Sequence, residues 1–180
     1  MLSEAQKVLK ELSLMEAVSK MTLDALIQST KKQVKSQNTF VGRVAIVKTT
    51  PMVGTKTITF FAQASGTRPY SMIMRFSGVK FSKELDKDHT VTVNMGAGQT
   101  VFMSKLSLTN NPVQVRCDDP SYKFTFGFAN QKIKALAGKA FTPYTKKTDR
   151  PYKNPGNVPG LCKHLVAFVE RLKMDGFLRN

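Results

Sequence analysis

The stretch "VQVRCDDPSYKFTFGFA", Val113 to Ala129, decides how this chain is read. Its first five residues alternate apolar and polar, as a half-buried strand does. Its second half repeats that period with rings: Tyr122, Phe124, Phe126 and Phe128 stand at every second position. In a strand all four would share one face. That face would be either a stacking platform or a surface buried against a helix.

Outward from this stretch the same period recurs. "FVGRVAIVKTT", "TKTITFFAQAS", "YSMIMRFSGVKF", "HTVTVNM" and "TVFMSKLSL" are short runs rich in Val, Ile, Thr and Phe. Turn chemistry separates them at Met52-Val53-Gly54, Ser65-Gly66-Thr67 and Gly96-Ala97-Gly98. Six or seven strands at this spacing predict an antiparallel sheet, sandwich or half-barrel over residues 39–137.

Both ends read as helical. Ser3-x-x-Gln6 and Ser13-x-x-Glu16 fit the capping box, in which side chains satisfy the free backbone donors of a first turn. Val8, Leu12, Met15 and Val18 follow at steps of three and four. The expectation over residues 1–38 is a short helix, then a longer one with Lys31, Lys32 and Lys35 at its negative end. Residues 138–160 hold Pro143, Pro151, Pro155 and Pro159 and predict a long loop, either functional or tied down from outside. A last helix is expected from about Cys162 to Met174, burying Leu161, Leu165, Phe168, Val169 and Leu172 and ending at Gly176. The fold class is α+β: N-terminal helices, a central antiparallel β-sheet or half-barrel, a long Pro/Lys-rich loop and a C-terminal helix. The segments 1–38, 39–137 and 138–180 are expected to pack as a single unit.

At 180 residues with 41% apolar content, the chain is long enough for one ordinary domain with a core. No apolar run reaches the roughly 18–20 residues that a bilayer requires, so no membrane partner is expected. "MLSEAQKVLKELSL" lacks a secretory apolar core, which predicts a chain made in the cytoplasm and kept on the cytosolic side of synthesis. Charge is the strongest compositional feature: 28 basic against 12 acidic residues, a formal +16. From Pro120 onward there are 12 Lys or Arg against three acids, Asp149, Glu170 and Asp175, a balance of 12 − 3 = +9. Such a surface attracts polyanions, whether nucleic acid or an acidic protein neighbour.

Two residue pairs carry the candidate chemistry. Cys117 and Asp119 are one residue apart, as are Cys162 and His164, with 44 residues between the two cysteines. A pair at a strand end and a pair at a helix start can converge on one tetrahedral ion. Thiolate and imidazole are donors that Zn²⁺ prefers, and four protein ligands make a structural site. Asp is an uncommon member of such sites, and Asp118 could take its place. A site here would also anchor both ends of the Pro-rich loop. Two further readings stand beside it: reduced, buried cysteines without a ligand role, and a Cys117–Cys162 disulfide, rare in a cytosolic chain.

Enzyme readings fare worse. A Cys162/His164 dyad would need both side chains to face each other, whereas residues i and i+2 on a helix diverge. His89 reads as a strand-edge surface residue, and Glu84, Asp86 and Asp88 as a solvated loop. Gly96–Thr100 is too short for a dinucleotide fingerprint and reads as a hairpin turn. Neither a Walker-type loop, an HExxH helix nor a nucleophile elbow occurs in the sequence.

The pairing resembles the SWIM-type pattern C-x-C-x(n)-C-x-H. More closely, "VQVRCDDPSYKFTFGFAN", "PYTKKT" and "RPYKNPGNVPGLCKHL" resemble the C-terminal segment of a group of tailed-bacteriophage virion proteins, over roughly residues 113–170. There a strand ending in C-x-C precedes an aromatic strand, a Lys/Pro-rich loop and a "PGLCKHL" helix start. Cys117, Cys162 and His164 match that motif. Position 119 departs from it, with Asp119 where the group has its second Cys. The resemblance implies a non-enzymatic structural protein of a tailed-phage head, neck, tail or baseplate, binding other virion proteins in a symmetric assembly. The alternative is a nucleic-acid-binding zinc module, with DNA contacted by the basic C-terminal third and by Phe124, Phe126 and Phe128.

Overall fold

The computed structural model describes residues 20–33, 44–66, 69–96, 98–143, 145, 149 and 153–179. The chain is α+β. Helix α1 (Leu23–Gln33) leads into strands β1 (Ile46–Gly54), β2 (Thr57–Ala64), β3 (Ser71–Ser77), β4 (Phe81–Ser82), β5 (Val91–Gly96), β6 (Gln99–Met103) and β7 (Val113–Cys117). Among the described residues two antiparallel sheets result, one in the order β1-β2-β3-β7 and the other β4-β6-β5.

Alternation along the strands builds the floor of the core. Register aligns Ile58 with Phe76 and Phe76 with Val113, then Phe60 with Met74 and Met74 with Val115. A third row runs Ala62, Met72, Cys117. Every member of these rows is buried, while Phe61, Gln63, Ser71 and Arg75 between them are exposed. Cys117 is therefore the last inward-facing residue of β7, at the rim of the sheet.

Turns fall close to where the sequence places them. The β5–β6 hairpin closes between Gly96 and Gln99, with Gly98 at φ 74°. The β1–β2 turn lies after Met52-Val53-Gly54, because β1 keeps pairing through Gly54 and the chain reverses at Thr55-Lys56, with Lys56 at φ 56°. The run "TVFMSKLSL" stops pairing with β5 at Met103, and Leu106 then forms a parallel bridge to Leu178.

One expected strand is a helix. Residues 120–132 form a continuous helical segment: α2 (Pro120–Tyr122), a π-helical turn (Lys123–Gly127) and α3 (Phe128–Lys132). Asp119 caps it by accepting a hydrogen bond from the Ser121 N–H at 2.8 Å, and Pro120 follows at the first helical position. Pro there lacks only a donor that a first turn leaves unused. Helical geometry then splits the four rings into two pairs four residues apart. Tyr122 and Phe126 enter the core, whereas Phe124 is exposed and Phe128 half-buried.

The C-terminal helix α4 (Lys163–Met174) lies over the sheet and buries Leu165, Phe168, Val169 and Leu172, with Leu161 just before it. Gly176, at φ 79°, ends it as the Phe177 N–H reaches back to the Leu172 carbonyl at 3.0 Å. In α1, Leu23 and Leu26 are fully buried and Lys31 and Lys32 occupy the last turn. The Thr22 hydroxyl accepts from the Ala25 N–H at 3.3 Å. The capping boxes at Ser3 and Ser13, the stripe Val8 to Val18, and Lys35 lie outside the described residues. One buried apolar cluster runs from Leu23 in α1 through the strands to Leu178. Among the described residues no helix is long and apolar enough to cross a membrane.

Candidate metal centre

Three elements deliver the site. β7 ends on Cys117, its inward alternation fixing the thiol toward the core. Cys162 is the residue before α4, extended at φ −79° and ψ 169°, and His164 is the second residue of that helix. Asp119 stands at the start of α2. Cys117 is 1% exposed, Cys162 8% and His164 5%.

Ligand atoms of Cys117, Cys162 and His164 all lie within 4.8 Å of one another, a buried cluster that could hold a metal ion. The Cys117 Sγ is 3.9 Å from the His164 Nδ1, and the Asp119 Oδ2 is 3.3 Å from the same nitrogen. Charge-assisted N–H···O contacts close to about 2.7–2.9 Å, so 3.3 Å is long for one. It matches the spacing of two ligand atoms on a tetrahedral ion, about 3.3–3.8 Å for bonds of about 2.0–2.3 Å. The donor set of two sulfurs and an imidazole, with the Asp119 carboxylate beside the ring, suits a borderline-soft divalent ion.

Surrounding contacts hold these groups in place. The Tyr70 ring packs on the His164 imidazole with centroids 4.8 Å apart. The Asp119 Oδ1 is engaged by the Ser121 N–H, which leaves Oδ2 for the histidine. Asp118, the other candidate carboxylate, turns away: it is exposed, and its Oδ1 accepts from the Ser71 N–H at 2.8 Å.

The two thiols differ. Burial alone would push the Cys162 thiol up, but the neighbouring Cys117 thiol and the His164 ring together outweigh it and hold its pKa down. The counterpart is Cys117, pushed far up by its interaction with Cys162 and then by burial. Both cysteines are free, so the disulfide reading does not describe this structure.

Cys162 and His164 do face one another, contrary to the expectation for residues two apart on a helix. Cys162 is extended rather than helical, so the helical divergence does not apply to it. On the ring itself, Cys117 and Asp119 converge on one nitrogen, Nδ1.

The Pro-rich loop is fastened by hydrogen bonds that the sequence reading missed. Buried Asn130 pairs with Gly160 in both directions: Nδ2 donates to the Gly160 carbonyl at 2.9 Å, and the Gly160 N–H donates to Oδ1 at 3.0 Å. Nδ2 also donates to the Tyr122 hydroxyl at 3.0 Å, which donates to the Val115 carbonyl at 3.1 Å. Thr30 accepts from the Leu161 N–H at 2.8 Å. Asn154 donates to the Thr125 and Val158 carbonyls and accepts from the Val158 N–H and the Gln33 side chain. A Cβ at Gly160 would meet Phe126 and Thr30 at 2.7 Å, so only glycine fits there. The "NPG" at Asn154–Gly156 was a visible turn signal; nothing local marks Thr30 or Asn130.

The other candidates stay peripheral. Glu84, Asp86 and Asp88 lie on an exposed loop, and His89, half-buried, contacts Asp86 through Nδ1 at 2.9 Å. That hydrogen bond, with the N–H groups of Asp88 and His89, lowers the Asp86 pKa. Set against protein-family models, curated proteins and solved structures, the chain matches none of them.

Proposed function

We propose that this chain is a non-enzymatic structural component of a tailed-phage particle, with a zinc staple joining β7 to α4. Cys117, Cys162 and His164 are three ligands of that staple, and Asp119 is the fourth. One observation carries the reading: three ligand atoms lie within 4.8 Å of one another, each on a residue no more than 8% exposed. A site closed to solvent fits an ion that fastens elements rather than one that meets a substrate. When bound, zinc supplies a cross-link between a strand end and a helix start that are distant in sequence. The residues themselves hold the geometry, through the Tyr70 stack on His164 and the Ser121 bond to Asp119.

The particle assignment draws on the resemblance over residues 113–170 and on the +16 charge, which suits docking on acidic neighbours. Two measurements test the two halves separately. Elemental analysis of protein purified without chelator should give one zinc per chain; a metal-free protein with both thiols titratable after denaturation would remove the staple. Purified, nuclease-treated particles should retain the chain at a fixed ratio to the main shell or tube protein. Its loss on purification would remove the particle role.

A further inference from the structure

The pair of rings that the helical segment turns outward has company. Phe124 and Phe128 lie with centroids 6.4 Å apart, and Phe128 and Phe141 5.7 Å apart. The Lys123 Nζ sits 5.4 Å from the first ring, 5.9 Å from the second and 5.6 Å from the third. The Arg116 guanidinium lies 4.6 Å over Phe141 and is fixed by donating to the Ala137 and Lys139 carbonyls. Phe124 is 42% exposed and the other two rings are half-buried. Neither Lys123 nor Arg116 is in an ion pair among the described residues.

We propose that this surface, built from Lys123, Phe124, Phe128, Phe141 and Arg116, binds single-stranded nucleic acid, its rings stacking on bases and its cations meeting phosphates. Charge complementarity selects the occupant. Residues 120–148, which supply Lys123 and all three rings, contain six lysines and neither Asp nor Glu; Asp118 and Asp119 lie between them and Arg116. An acidic protein would satisfy lysines alone; rings interleaved with cations that form no ion pair among the described residues answer a partner that offers both flat π-faces and anions. Unpaired strands offer those faces, whereas a duplex keeps its bases stacked on one another. The π-helical turn is a second indication. Such turns are rare, cost helix geometry and recur at functional sites, and this one carries Lys123 and Phe124. Stacking and phosphate contact read no 2′-hydroxyl, so DNA and RNA single strands should bind alike. The inference depends on neither the metal nor the particle.

The test is fluorescence anisotropy of the full chain with labelled oligothymidylate and oligouridylate of about 16 nucleotides, against a duplex of equal length. Expected are similar affinities for the two single strands, weaker duplex binding and a steep loss with added salt. Phe124→Ala should weaken single-strand binding about tenfold while the circular dichroism spectrum of the folded chain is retained. Lys123→Gln should flatten the salt dependence by about 0.7 in the log–log slope. Equal single-strand and duplex binding, indifferent to Phe124→Ala, would reduce the patch to plain polyelectrolyte attraction and overturn the proposal. So would no binding at low salt, or a Phe124→Ala defect seen only in protein–protein assembly.

Discussion

Two adjacent fastenings hold the same piece of chain, and they are built on opposite principles. At Gly160 and Leu161 the backbone is held by Asn130 and Thr30 through neutral hydrogen bonds, complete within the protein. One and three residues later, Cys162 and His164 meet Cys117 and Asp119 in a cluster of titratable groups at 3.3–3.9 Å spacing from the histidine. The first fastening leaves neither the Asn130 amide nor the Thr30 hydroxyl without a partner. The second gathers groups that an ion would satisfy better than they satisfy each other. Asn130 and Thr30 hold the loop at Gly160 and Leu161 through bonds that involve none of the cluster's groups, so a metal bound there would add to a framework with fastenings of its own.

The largest expected effect removes the floor beneath both fastenings. Phe168 is fully buried under α4, and Phe168→Ala should destabilise the protein by about 3–5 kcal/mol in denaturant unfolding. A change below about 0.5 kcal/mol would show that α4 does not depend on this packing. Asn130→Ala strikes the hydrogen-bonded fastening alone. It strips the Gly160 N–H and carbonyl of their partners in a buried place and should cost about 3 kcal/mol. Zinc content should persist in this variant; its loss together with stability would show the two fastenings to be one unit.

Metal removal strikes the other fastening. Chelation of the zinc-loaded protein should lower the melting temperature by several degrees, about 2–4 °C per kcal/mol for a chain of this size, while the sheet's circular dichroism remains. Collapse to an unfolded spectrum would mean that the ion carries the fold and that the Asn130 network is secondary. Asp119 and Asp118 provide the finest contrast. Asp119→Cys should tighten zinc binding, since thiolate is the softer donor, at a loss of about 1 kcal/mol from the α2 cap. Asp118→Ala should cost about 0.5 kcal/mol at its exposed bond to Ser71 and leave zinc binding unchanged. A reversal of these two zinc results would reassign the fourth ligand.

Much of this architecture was legible along the chain. Alternation in "TITFFAQA" and "SMIMRFS" specified β2 and β3, because a period of two has one solution when only one face is buried. The stripe Leu161, Leu165, Phe168, Val169, Leu172 specified α4 for the corresponding reason at 3.6 residues per turn. The paired spacing of Cys117/Asp119 and Cys162/His164 pointed to groups that the fold does bring together. Reading failed at Tyr122–Phe128, where rings at every second position also satisfy a helix that shows two to the core and two to solvent. The discriminating signal was the Asp119-Pro120 start, a cap and a first-turn proline, outweighed there by the conspicuous rings.

By itself, then, the sequence determined the α+β class, most strands, the closing helix and the residue types available for a metal, because these follow from local periodicity and donor chemistry. Tertiary structure decided which carboxylate faces His164, how Cys162 turns toward it, and that Asn130 and Thr30 hold the loop. The fastening of the loop depends on atoms 30 to 131 residues apart meeting within hydrogen-bond distance. Contacts at that separation leave no periodic trace along the chain, since each side chain is selected by a partner that only the fold places beside it.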